Sequence, residues 1–64
     1  MKFIRLTAKA RKGNVPWIVN PKQIIGIAQA EDAEYATVYL VNNSEIDVLE
    51  SLDSIERLIK AKYD

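Results

Sequence analysis

Apolar side chains alternate within short stretches separated by turns as far as Leu49, then switch to three- and four-residue spacing from Leu52 to Ile59. This switch constrains the fold most, because side chains alternate faces along a strand but stack every three or four residues along a helix. "KFIRLTAK" puts Ile4, Leu6 and Ala8 on one face and Phe3, Arg5 and Thr7 on the other, which reads as a half-buried strand. "VPWIVN" continues the pattern with Val15, Trp17 and Val19, and the "KGN" before it reads as a hairpin turn where Gly13 supplies a positive φ.

The next segment, "VNPKQIIGI", admits two readings: Asn20-Pro21 opens a helix through Lys22 and Gln23, or it swings one strand into the next. Proline ends ladder pairing, and "QIIGIAQA" is rich in β-branched residues and interrupted by Gly26, so a strand after one irregular turn is expected. A polar connection "AEDAE", a strand "YATVYLV", a turn "NNS" and a strand "EIDVLE" follow. In "SLDSIERLIKAKY", Leu52, Ile55, Leu58, Ile59 and Lys62 form one stripe on a helix. Ser51 or Asp53 is its expected N-cap, Asp53 with Glu56 has the reach of a capping box, and Lys60 and Lys62 suit its negative end. The fold class expected is α+β: one domain over residues 1–64, an antiparallel sheet of about five strands with one C-terminal amphipathic helix packed on one face.

Sixty-four residues allow one small core, and a chain of this size buries only roughly 60% of its unfolded surface. Cysteine and histidine are both absent, which removes disulfides, the usual zinc ligand sets, and every Ser-His or Cys-His pair. The acids at Glu31, Asp32 and Glu34 and at Glu45, Asp47 and Glu50 lack the glycine that a calcium loop turns on, and the two glycines, Gly13 and Gly26, stand too far apart for a phosphate-binding loop. Neither an enzyme, a cofactor nor a small-molecule substrate is expected. No apolar run is long enough to insert in a membrane, and "MKFIRLTAK" is too charged for a signal sequence, so a cytoplasmic location is the expectation.

The net charge is zero, but the charges are segregated. Lys2, Arg5, Lys9, Arg11, Lys12 and Lys22 precede residue 23 with no acid among them, and residues 23–56 hold acids and no base. Cross-strand ion pairing between basic and acidic strands is the first expectation. The alternative is a nucleic-acid surface made by Lys9, Arg11 and Lys12 at the hairpin tip with Lys2 and Arg5 near it. Trp17 is expected in the core rather than as an interface anchor. If the helix covers Val38 and Leu40, then Tyr35, Thr37 and Tyr39 line the uncovered side, a face for a protein partner or for a second copy in a homodimer.

Leu6-Thr7, Asn20-Pro21, Ile24, Ile27, Thr37-Val38, Leu40, Asn42 and Glu50-Ser51, together with the helix after them, carry a resemblance over nearly the whole chain. In this order and spacing they resemble the small flagellar FlbD-like (swarming motility) family, with two departures: the first hairpin is the longer "AKARKGNVP", and the second Asn-Gly turn is "NNS". The resemblance implies a motility accessory and not an enzyme. The stretch from Val19 to Ile59 is also similar to the core of LytTR-type DNA-binding domains, which continue past the helix into basic loops that contact DNA, whereas this chain ends at Asp64. Similar short chains occur as phage-derived or uncharacterised structural proteins. The expected function is thus a small non-enzymatic interaction module, with nucleic-acid contact and structural assembly as alternatives.

Overall fold

The structure, a computed structural model, describes residues 3–63. The order is β1 (Ile4–Ala10), β2 (Gly13–Val19), a 3-10 turn (Pro21–Gln23), β3 (Ile24–Ala28), β4 (Ala36–Leu40), β5 (Glu45–Val48) and α1 (Leu52–Tyr63). The five strands form one sheet in the order β2-β1-β5-β4-β3, with every neighbouring pair antiparallel. The expected α+β class, strand number and C-terminal helix are all present.

Local chemistry explains most of the boundaries. The first turn is Arg11-Lys12, earlier than the "KGN" reading, because Gly13 uses its positive φ of 127° as the first residue of β2, paired with Ala10. Asn20 caps the 3-10 turn, its side-chain oxygen accepting from the Lys22 N–H at 3.0 Å, and Pro21 stands at the first helical position, where its missing N–H costs nothing. One irregular turn, then a strand, is therefore the outcome for Asn20-Pro21. Between β4 and β5, Asn43 takes φ 68°, the Asn43 N–H donates to the Leu40 carbonyl at 3.1 Å, and the Leu40 N–H donates to the Ser44 carbonyl at 2.9 Å. This is a three-residue hairpin loop with asparagine at its left-handed position.

Of the two expected caps it is Ser51 that serves, and the expected Asp53–Glu56 box is not the arrangement used. Ser51 is the N-cap, accepting from the Ser54 N–H at 3.2 Å, and Ser54, not Glu56, answers it through a hydroxyl contact of 3.0 Å. The Leu52 N–H donates to the Gln29 side-chain oxygen at 2.9 Å, so the loop after β3 satisfies a second free donor of the helix. Glu56 instead pairs with Lys60 at 3.6 Å along the helix. The Lys62 side chain lies outside the described residues.

The sheet cannot be flat. Laid flat, its edge strands β2 and β3 would stand about 19 Å apart and, running the same way, would need a connection back along their length. Only Asn20–Gln23 joins them. The usual twist of roughly 20–25° per strand, accumulated over four steps, is the means by which a sheet can curl far enough for so short a connection to join its two edge strands. The inside of the curl is the core: Ile4, Leu6, Val19, Ala36, Val38, Val48 and Ile55 are buried together, with Trp17, Ile24, Ile27, Leu40, Ile46, Leu58 and Ile59 packed around them. Trp17 is half-buried at the margin of this cluster.

Candidate functional site

Opposite residues of an antiparallel pair share a face, so the register assigns the outer surface of the sheet. Ala8 pairs with Val48, Val48 with Ala36, and Val38 with Ile46, all on the helix-covered side. Thr7 and Lys9 of β1, Asp47 of β5, and Thr37 and Tyr39 of β4 consequently point the other way, with Tyr35 just before β4. The expectation that Tyr35, Thr37 and Tyr39 lie opposite the helix matches this register.

Interlocked polar contacts occupy the centre of this open face. Thr37 donates its hydroxyl to Asp47 at 2.8 Å, and the Lys9 ammonium sits 4.2 Å from the centre of the Tyr35 ring. Beside them the Glu50 carboxylate accepts from both the backbone N–H of Thr7 at 2.8 Å and the Thr7 hydroxyl at 3.0 Å. The chain has just left β5, and this side chain continues the ladder after the backbone stops, while the Leu49 N–H still donates to the Thr7 carbonyl at 2.9 Å. Tyr39 stands at the rim, 38% exposed, with both of its backbone neighbours fixed in the sheet.

The basic residues Arg5, Lys9, Arg11 and Lys12 do not spread beyond the first hairpin, Arg5 and Lys9 sharing the outward face of β1 and Arg11 and Lys12 the turn after it. Arg5 is exposed opposite Ile18, Arg11 and Lys12 are exposed in the hairpin turn, Lys9 is held over the Tyr35 ring beside an acidic strand, and Lys2 lies outside the described residues. Nor do they form the expected cross-strand ion pairs: the one ion pair among the described residues is Lys60 with Glu56. Although β1 and β5 are neighbours, Asp47 accepts from Thr37 across from it on β4 and Glu50 from Thr7, and a short threonine gives up less side-chain freedom in such a contact than a long lysine does.

Among the described residues no charged or polar side chain is buried, and no group of three acids, cysteines or histidines is placed to hold a metal. A surface depression of about 290 Å³ lies between the loop after β3 and the start of α1, lined by Gln29, Ala30, Glu31, Ser51, Leu52 and Asp53. Two of its polar side chains, Gln29 and Ser51, are engaged in capping the helix.

Sequence reasoning missed the role of Glu50, which reads as one more acid on a solvated strand. Its position directly before the helix cap Ser51 was the available signal. Leu6-Thr7, Asn20-Pro21, Asn42 and Glu50-Ser51, which carry the family resemblance, all have folding roles: core packing, turn capping, the Thr7–Glu50 bridge and the helix cap. Set against known proteins, the chain matches no family model, no curated protein and no solved structure.

Proposed function

We propose that this chain is a non-enzymatic interaction module, an accessory protein of the kind its FlbD-like resemblance implies, and that it holds a protein partner against the open face around Tyr39. The observation that carries this reading is the placement of Tyr39: a large amphipathic side chain, 38% exposed, on a strand paired on both sides and opposite the helix-covered face. A ring on a fixed backbone loses little freedom on binding, which is why tyrosine is enriched among the residues that dominate interfaces. Thr37 and Tyr35 flank it and are already held, by Asp47 and under Lys9 respectively, so the surface is ordered before a partner arrives.

Site-specific crosslinking tests the proposal. A photoreactive side chain at position 39, introduced in the cell of origin, gives a discrete adduct heavier than one chain, and the same side chain at Glu56, exposed on the helix, does not. No adduct from position 39, or equal adducts from both positions, overturns it.

A further inference from the structure

Two strands have an unpaired side, β2 and β3, and they are built differently. Successive residues of a strand turn their N–H and C=O groups to opposite sides. Leu49 donates to Thr7, so Thr7 bonds toward β5, and its partner Pro16 on β2 turns its backbone outward. The free edge of β2 therefore has a proline in its middle with no N–H to offer, a common way of blocking an edge.

The β3 edge carries no such block. Leu40 donates to Ser44 on the β5 side and Val41 to the Gln23 carbonyl on the β3 side, so Tyr39 and Thr37 bond to Gly26 and Ala28, and Ile27 turns its N–H and C=O to the free edge. From Gln23 to Ala30 no residue is charged. The register shift between Ile24 and Gly26 pushes out Ile25, which at 66% is the most exposed large apolar side chain described. The bulge restricts any further pairing to a short ladder centred on Ile27.

We infer that β3 pairs antiparallel with β3 of a second copy across a two-fold axis at Ile27, joining two sheets into one. Charge selects a second copy in this orientation. Lys22 stands five residues before Ile27 and Asp32 five after it, both exposed, with Glu31 beside Asp32. An antiparallel two-fold pair brings Lys22 of each copy to the Glu31-Asp32 turn of the other, whereas a parallel pair sets like charges together. The two Ile27 residues exchange a pair of backbone hydrogen bonds, and the Ile25 side chains add apolar area beside them. This contact uses the edge of the sheet and not its open face, so it stands apart from the reading of Tyr39.

Sedimentation equilibrium of the full chain over a hundredfold concentration range reads the outcome. A mass rising from 7.3 kDa toward twice that value is expected. Ile25→Lys, at an exposed site that leaves the core intact, raises the dimer Kd by about tenfold or more, with an unchanged circular dichroism spectrum. Lys22→Glu also weakens the dimer, and Lys22→Glu combined with Glu31→Lys and Asp32→Lys restores it. A single-chain mass at every concentration overturns the inference. So does a dimer indifferent to all these changes, or one broken only by Tyr39→Asp, which moves the contact to the open face.

Discussion

Glu50 shows how one side chain can extend a sheet. Its carboxylate takes the place of a main-chain carbonyl opposite the Thr7 N–H, where the backbone is already bending toward the helix. Glu50→Ala leaves that half-buried N–H without its partner and is expected to cost about 1–3 kcal/mol of folding stability. Thr7→Val removes only the hydroxyl contact and costs less; urea unfolding of the two variants gives the order. Asn43 makes a second test at this scale. At φ 68° an alanine is strained, so Asn43→Ala is expected to destabilise by about 1–2 kcal/mol, while Asn43→Gly has little effect, as thermal unfolding of both variants would register.

The helix depends on one side of its stripe. Ile55 is fully buried against the sheet, Leu58 and Ile59 are half-buried, and Leu52 at the first turn is 37% exposed. Ile55→Ala is expected to cost about 2–5 kcal/mol, and Leu58→Ala about half of that, since much of its surface already meets water. Leu52→Ala, at the least covered position of the three, is expected to cost the least. Denaturant midpoints for the three variants should fall in that order, and equal losses would mean that the helix sits elsewhere on the sheet. The strand β4 shows the same dependence on context. Its aromatic, β-prone sequence looks suited to edge pairing, but it lies between β3 and β5 with its backbone bonded on both sides, so only its face is available. The free edges belong to β2, stopped by Pro16, and to β3.

At the scale of the molecule the net charge is zero, and the basic residues of the first hairpin stand beside an acidic strand. Arg11 and Lys12 sit on a turn, Lys9 covers Tyr35, and acids from β5 stand next to the basic strand. A surface of this kind releases few counterions, so labelled duplex DNA at about 10 μM protein and low salt is expected to stay unbound. A fluorescence anisotropy titration checks this, and binding that falls steeply with salt and weakens in the Arg11→Ala, Lys12→Ala double variant would restore the nucleic-acid reading. Small size acts at this scale too. With no cysteine or histidine in the sequence, contact with another chain is one way for so small a domain to bury more surface, and the β3 edge and the open face are the two surfaces proposed for it above.

The elements were legible because each has a local cause. Alternation marks β1 and β5, Gly13 and the asparagines mark turns, Pro21 separates β2 from β3, and the three- and four-residue spacing after Ser51 marks the helix. These signals act within a few residues, so a single sequence carries them. Whether Tyr35 and Tyr39 lie opposite the helix followed from the same alternation once the helix was placed over Val38. What the sequence did not determine was order and partner choice. Nothing local says that β1 pairs with β5, that β4 is internal, or that Pro16 faces outward, because these depend on which strands meet after the chain has curled. Long-range pairing also decided the charges: Asp47 and Glu50 look like partners for Lys9 and Arg5, but the folded sheet bonds them to Thr37 and Thr7. Residues 43 positions apart in the chain came together through sheet topology, and topology is set by the global burial of apolar faces rather than by any local preference.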